Sequence, residues 1–111
     1  MVVAIAVTDN EDVGGGWGRA RNVAIATVDP NGEIRSWEVH AVHWDELHDS
    51  GGEGQHHARI ARFLLDHQVQ RVIAGHMGPG MVHMLEKMNI DVVVDVHGSA
   101  REAALKYGRA S

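Results

Sequence analysis

The stretch Ile73-Ala-Gly-His-Met-Gly-Pro-Gly-Met-Val-His-Met84 predicts a strand, a glycine-rich turn and a helix in direct succession. An apolar run reaches Gly75, the turn presents His76, and Pro79 begins the helix, because proline is favoured at the first helical position. The first N–H groups of such a helix have no partner within it, so they are available to an anion or a polar cofactor. Glycine and proline also build tight loops that bind no ligand, and this stretch alone leaves both interpretations open.

Around this stretch the pattern of apolar residues predicts an α/β fold in the order β-β-β-α-β-α-β-α, with a five-stranded mixed sheet and three helices. The first strand is a continuous apolar run, which is typical of a central strand buried on both faces. Asp29-Pro30-Asn31-Gly32 predicts the turn of a hairpin, and residues 44–54 predict a loop. The predicted strands are residues 2–7, 22–28, 33–43, 71–74 and 91–96; the predicted helices are residues 55–67 and 79–88 and a last one opened by the capping box Ser99–Glu102.

This order predicts where the histidines meet. Short hairpins make the first three strands antiparallel, and helical crossovers make the later strands parallel to the first. Ligands of open α/β sheets usually bind at the carboxyl ends of the parallel strands. Seven of the nine histidines are predicted at or near that end: His40, His43, His48, His56, His57, His76 and His97.

The absence of cysteine leaves imidazole, carboxylate and thioether groups as the possible metal ligands. His57 shares a helical stripe with Ile60 and Leu64, so it is predicted to point inward at a helix N-terminus, where the neutral, metal-binding form is favoured. A histidine hydrogen-bonded beneath the loop is the alternative. His56 diverges from His57 by about 100°, so the two cannot readily chelate one ion from a regular helix. The predicted metal ligands are His40, His43, His56, His57 and His76.

Length and charge bound the remaining possibilities. A chain of 111 residues is predicted to form one domain over residues 1–111. The net charge of −5, with only two lysines, argues against nucleic-acid binding. The N-terminal run lacks a basic leader and is too short for a signal peptide, and no run reaches membrane-spanning length. The sequence therefore predicts a cytoplasmic protein that binds neither nucleic acid nor membrane.

The sequence resembles the dinitrogenase iron–molybdenum cofactor-binding family, the NifX/NafY-like domains that also occur at the end of NifB. The apolar first strand, the Gly18-Arg19-Ala20 turn, the hairpin and above all the Gly75–Gly80 turn carry this resemblance over nearly the whole chain. It implies a ribonuclease H-like fold and the binding or carrying of an iron–sulfur-type metallocluster without catalysis. The positions predicted to bind that cofactor are Asp9, Trp17, Arg19, Gly75, Gly78 and Gly80.

One motif departs from the family pattern. Family members that bind the cofactor commonly carry His-Phe-Gly in the first loop, and the histidine of that motif is a proposed cluster ligand. Here the matching residues are Gly16-Trp17-Gly18, and a glycine side chain cannot coordinate a metal. Two alternatives remain: His40, His43, His57 or His76 replaces that first-loop histidine in a different site, or the protein has lost cluster binding.

Three functions are weighed against each other. The first is a small non-catalytic carrier of a metallocluster or of a single divalent metal ion, exchanging it with donor and acceptor proteins. The second is a cofactor-free interaction module that presents an exposed Trp17 or Trp44. The third is a metal-dependent hydrolase, which needs clustered carboxylates, and its candidates are Asp9, Asp45, Glu53 and Asp95. The third strand is predicted at a sheet edge, where it could pair with its own copy, so the chain is a monomer or a homodimer.

Overall fold

The computed structural model describes residues 1–109, which form a mixed five-stranded sheet with helices on both faces. The strands are β1 (Val2–Val7), β2 (Asn22–Val28), β3 (Ile34–Ala41), β4 (Arg71–Ile73) and β5 (Asp91–Val93). Their spatial order is β3-β2-β1-β4-β5. Strand β2 is antiparallel to β1 and β3, whereas β4 and β5 run parallel to β1. The predicted topology is confirmed.

Strand β1 lies at the centre and separates two hydrophobic cores. Ala4 and Ala6 face the core beneath one pair of helices, while Val3 and Ile5 face the core on the opposite side. All four residues are fully buried or nearly so. Burying one valine or isoleucine side chain contributes about 1.5–3 kcal/mol to the stability of the fold. Because both faces of β1 are buried, the strand has no polar residue between Val2 and Val7.

The helices number four among the described residues, where the sequence predicted three. They are α1 (Trp44–Leu47), α2 (Gly52–Asp66), α3 (Pro79–Lys87) and α4 (Ala100–Tyr107), and Trp17–Arg19 forms a short 3₁₀ turn. Helices α2 and α3 pack on one core and α4 on the other. Within residues 1–109, none of these helices combines the length and the apolar character needed to cross a membrane.

The predicted loop over residues 44–54 was wrong in part, because it contains α1 and the start of α2. A helix of four residues is too short to show a hydrophobic period. It is held instead by tertiary contacts: Trp44 is buried, and its backbone N–H donates to Ala20 O at 2.9 Å. Gly51 and Gly52 then adopt φ of 78° and 86°, a region open to glycine, where the chain enters α2.

Strands β3 and β5 end earlier than predicted, for related reasons. After Ala41 the N–H groups of Val42 and His43 both donate to Arg21 O, so the ladder stops, and His43 turns into the left-handed region at φ 54°. After β5, Asp95 adopts φ 61° and its N–H donates to Gly75 O at 2.9 Å. Both ends are bent by single residues outside the preferred backbone regions.

The β2–β3 hairpin turn is organised by Asp29. Gly32 N–H donates to Asp29 O at 2.9 Å, and Glu33 N–H donates to the Asp29 carboxylate at 3.0 Å. The Glu33 hydrogen bond and the Arg35 guanidinium beside the carboxylate hold the pKa of Asp29 below its usual value. Because this folded-state pKa is lowered, the contribution of Asp29 to stability is present above the unfolded pKa and is lost as the pH falls through the folded one.

The capping box that opens α4 gives a first testable prediction. Ser99 Oγ accepts a hydrogen bond from Glu102 N–H at 3.2 Å, as the Ser-x-x-Glu pattern predicts. Ser99→Ala leaves that N–H without its side-chain partner, so we expect the free energy of unfolding to fall by about 1 kcal/mol. Urea denaturation followed by circular dichroism measures this change. Ser36→Ala on exposed β3 is the control, and equal losses in both variants would contradict the capping role.

Candidate functional site

An open cleft of about 560 Å³ lies beyond the carboxyl ends of the parallel strands, where the sequence predicted a site. Three segments that are distant in sequence form its walls: the 3₁₀ turn, the connection from α1 into α2, and the first turn of α3. The residues that line it are Gly18, Arg19, His48, Asp49, Gly52, Glu53, His56, His57, Gly78, Pro79, Gly80 and Met81. Of the predicted site residues, Arg19, His56, His57, Gly78 and Gly80 therefore come together here.

Two helix N-termini face this cleft. Helix α2 begins at Gly52 and α3 begins at Pro79, and within residues 1–109 no side chain caps either one. A Cβ atom at Gly80 would lie 3.3 Å from Glu53 Oε1 and 3.4 Å from His57 Cε1. A glycine at this position thus allows the two helix starts to approach closely. Their positive dipole ends make the cleft receptive to an anion.

His56 forms part of the cleft floor, and its ring nitrogens are both engaged. The side chain is almost fully buried at 6% exposure. Arg59 Nη1 donates to His56 Nδ1 at 2.7 Å, since a guanidinium has no acceptor, and so Nε2 carries the proton and donates to Gly18 O at 2.7 Å. His56 consequently ties α2 to the 3₁₀ turn and positions the cleft wall.

The inward histidine of α2 is therefore His56. The prediction that His57 would point inward was wrong, because the buried face of the helix includes the preceding residue instead. His57 is 24% exposed in its side chain and borders the cleft, with Nε2 3.7 Å from Glu53 Oε1. The helix is rotated so that His56, Ile60 and Leu64 are its buried residues. This rotation leaves His57 free to meet a ligand from the cleft side.

His48 was predicted at this end of the sheet but not as a ligand. Its Nδ1 lies 3.1 Å from Asp45 O and donates to that carbonyl, and its Nε2 lies 3.3 Å from the exposed carboxylate of Asp49. With the proton on Nδ1, the Nε2 lone pair can coordinate a metal. The sequence signal for His48 was only its place in the chain, because the helix that orients it was not predicted.

The glycine-rich turn divides into a packing part and a cleft-lining part. Gly75 is buried, its N–H donates to Gly14 O at 3.2 Å, and a Cβ there would lie 2.9 Å from Gly15 O. His76 O accepts from Trp17 N–H at 2.9 Å, while the His76 side chain is exposed and does not line the cleft. Gly75 thus holds the first loop against β4, and Gly78 and Gly80 reach the ligand space.

The tryptophans of the interaction-module hypothesis are buried. Trp17 and Trp44 are 0% and 2% exposed and meet edge to face with ring centroids 5.2 Å apart. The expectation of an exposed Trp17 or Trp44 was therefore wrong, because both rings fill the core under the cleft. Trp17 supports the 3₁₀ turn from within and does not itself line the cleft.

Asp9 lies outside this cleft. It borders a second depression of about 370 Å³ formed by the first loop, where its Oδ1 accepts from Asn22 Nδ2 at 3.3 Å. Arg19 borders both the cleft and this depression. Within residues 1–109, the four carboxylates of the hydrolase hypothesis do not converge on one point: Asp9, Asp45, Glu53 and Asp95.

His40 and His43 also lie apart from the cleft. His40 packs against Phe63 and His67 near the end of α2, with ring centroids 5.7 and 4.6 Å away. His43 precedes α1 and lies beside Asp45 and Glu46. The five histidines predicted to act as ligands therefore do not form one site. His56 and His57 line the cleft, His40 packs against α2, His43 lies at the start of α1, and His76 is exposed in the glycine-rich turn.

The fold and the cleft together describe a small α/β protein with an open cleft at the carboxyl edge of its parallel strands. A comparison with models of protein families then identifies the family of this chain. The chain matches the family described as dinitrogenase iron-molybdenum cofactor over residues 1–110 and belongs to it. A comparison with the curated proteins finds no match.

Solved structures share this fold. The crystal structure of PH0822 has a TM-score of 0.75 and 23% identity, covering 100% of this chain and 93% of that one. A candidate dinitrogenase from Methanocaldococcus jannaschii has a TM-score of 0.69 and 16% identity, covering 96% of this chain and 86% of that one. A candidate NifB protein from Thermotoga, of the DUF35 family, has a TM-score of 0.67 and 21% identity, covering 97% and 89%.

Proposed function

We propose that this protein is a non-catalytic carrier of an anionic metallocluster of the iron–molybdenum cofactor type, and that the cluster is its cargo. Membership of the cofactor family supports the class of cargo. The observation that carries the proposal is the composition of the cleft, which combines imidazoles with Arg19 and two uncapped helix N-termini. We further propose that residues 1–111 act as one binding unit, which exchanges its cargo with cluster donor and acceptor proteins.

The groups in the cleft fit such a cargo. His48 Nε2 and His57 are on the accessible side of the cleft, and imidazole is a suitable ligand for iron and other transition metals. The N–H groups at the start of α3 and the Arg19 guanidinium would bind anionic oxygen or sulfur of the cluster. These N–H groups and the guanidinium would take the place of the family's first-loop histidine, whose position is occupied by Gly16 in this chain.

The carboxylates at the cleft rim suit a protein that carries and releases a cluster better than one that binds it permanently. Asp49 and Glu53 lie beside His48 and His57 and are largely exposed. They would compete with the cargo for the imidazoles and repel its negative charge, while solvent screens most of this effect. A site with few strong ligands and competing groups at its rim releases its ligand readily.

The test is a binding titration of untagged protein with isolated iron–molybdenum cofactor under anaerobic conditions. Iron and molybdenum are measured per chain after gel filtration, and we expect one cofactor per chain. Arg19→Glu reverses the one arginine charge in the cleft, and the His48→Ala/His57→Ala variant removes both accessible imidazoles. Each change is expected to weaken binding about tenfold or more, because charge-assisted contacts are worth about 1.5–3 kcal/mol.

Two histidine variants serve as controls for this titration. His83→Ala removes an exposed imidazole that does not line the cleft, and it is expected to bind like the unaltered protein. His76→Ala removes the exposed histidine of the glycine-rich turn and is expected to do the same. Loss of binding in His76→Ala, with retention in the His48→Ala/His57→Ala variant, would contradict the cleft and assign the cargo to the turn. A chain that binds no cofactor in any form would contradict the carrier function.

A further inference from the structure

We propose a second site, separate from the cleft, that binds one divalent transition-metal ion through His43, Asp45 and Glu46. One ligand atom from each of the three side chains lies within 4.8 Å of the others. Within the described part of the chain, no other group of three such residues meets this condition. The inference does not depend on the cluster-carrier function, because none of the three residues lines the cleft.

Backbone hydrogen bonds hold His43 in place at the start of α1 before any metal binds. The N–H groups of Val42 and His43 donate to Arg21 O at 2.9 and 3.1 Å, and the next residue, Trp44, is buried. His43 has a left-handed backbone and directly precedes α1, whose first turn carries both carboxylates.

The His43 ring nitrogen nearest the carboxylates has no hydrogen-bond partner. Within residues 1–109 the Nδ1 atom makes no hydrogen bond, although Glu46 Oε2 lies 3.2 Å away and the His43 side chain as a whole is 44% exposed. A buried nitrogen without a partner is costly. A metal ion between Nδ1 and the two carboxylates would give this nitrogen a partner.

The local charge also favours a cation. Asp45 and Glu46 contribute two negative charges, and among residues 1–109 the arginine paired with them is Arg21, whose Nη1 is 3.8 Å from Asp45 Oδ2 and whose side chain is exposed. This distance is too long for a strong ion pair. A divalent ion would balance the remaining charge, whereas the positive end of α1 opposes it only weakly because the helix has four residues.

The ligand set identifies the class of metal. One imidazole nitrogen and two carboxylate oxygens suit zinc and neighbouring transition-metal ions, and magnesium prefers an all-oxygen site. Ligand atoms around a tetrahedral zinc ion lie about 3–4 Å apart at metal–ligand distances of about 2.0–2.2 Å. Since Glu46 is 67% exposed in its side chain, its carboxylate has room to rotate toward the ion. Three protein ligands leave a position for water, so the ion is exchangeable.

The test compares Zn²⁺ binding to untagged protein and to two single variants by calorimetry. Glu46→Gln changes an exposed side chain and keeps the fold. His43→Asn removes the imidazole and retains a residue that tolerates the left-handed region. We expect each variant to lose one equivalent of Zn²⁺, or to bind that equivalent at least about tenfold more weakly, as removal of one charged ligand predicts. The visible absorption of Co²⁺ bound to each variant should be lower by the amount that one bound equivalent contributes. Mg²⁺ should not bind to the unaltered protein at this site.

Helix α3 offers a matched control, because His83 and Glu86 have the same i, i+3 spacing as His43 and Glu46 and are exposed. The His83→Asn/Glu86→Gln variant is expected to keep the full zinc stoichiometry. The His57→Ala variant removes a cleft imidazole and leaves the His48–Asp45 hydrogen bond intact, so it is expected to keep this equivalent as well, which separates this site from the cleft. Equal stoichiometry and affinity in Glu46→Gln, His43→Asn and the unaltered protein would overturn the proposal, as would the absence of any stoichiometric zinc.

Discussion

Replacement of Gly75 by alanine is expected to lower the free energy of unfolding by about 3 kcal/mol, the upper range for an overpacked core position. The added Cβ would lie 2.9 Å from Gly15 O, 3.0 Å from Gly14 O and 3.2 Å from Gly15 Cα. All three atoms belong to backbone, so no side-chain rotation relieves the contact. The first loop would have to move away from β4 and would lose the hydrogen bond from Gly75 N–H to Gly14 O.

Gly78→Ala is the matched control for this prediction. Gly78 lies in the same turn with φ −68°, and an added Cβ meets no atom within 4 Å. Its free energy of unfolding should change by less than about 0.5 kcal/mol, as for ordinary surface substitutions. Urea denaturation curves for both variants measure the difference. Similar stability in the two variants would mean that Gly75 does not serve to bring β4 and the first loop together.

His56→Ala is expected to cost about 3 kcal/mol, because it leaves a cavity and removes two hydrogen bonds from a buried location. Gly18 O would lose its donor and Arg59 would lose its side-chain acceptor. Arg59 Nη1 also donates to Leu47 O at 3.2 Å, so the end of α1 is expected to loosen with it. Amide hydrogen exchange in α1 and the 3₁₀ turn should therefore accelerate together in this variant.

The neighbouring residue provides the control. His57→Ala removes an imidazole from the same helix, but its side chain borders the cleft and its one ion pair, to Glu53, spans 3.7 Å. We expect a change of less than about 0.5 kcal/mol. Greater destabilisation by His57→Ala than by His56→Ala would show that the floor of the cleft does not depend on the His56 hydrogen bonds.

The sheet could be predicted from the sequence because its signals are local. The apolar run of β1, the turn at Asp29–Gly32 and the apolar stretches after each helix fix the strand order through general rules of connection. The family resemblance pointed to the same architecture. Helix α1 could not be predicted, since its stability comes from the burial of Trp44 and a hydrogen bond to Ala20, a residue 24 positions earlier in the sequence.

The site was predicted at the correct edge of the sheet but not in its details. Hydrophobic periodicity placed His57 inward, whereas the observed packing of α2 buries His56, a difference of one residue and about 100° of rotation. The sequence also treated the glycines of the 75–80 turn as equivalent. Their division between packing and ligand access depends on the approach of Gly14 and Gly15, which no local pattern reveals.

The two buried tryptophans give the protein an internal optical reporter. Trp17 directly precedes Gly18 in the cleft wall, and its indole meets Trp44 at 5.2 Å and 73°. Two indoles so close couple their electronic transitions, and small changes in their angle alter the near-ultraviolet circular dichroism. Trp37 belongs to the opposite core, beneath the Arg101 guanidinium at 4.5 Å, and supplies a constant background. We expect occupation of the cleft to change this tryptophan signal, so that binding could be followed without a label.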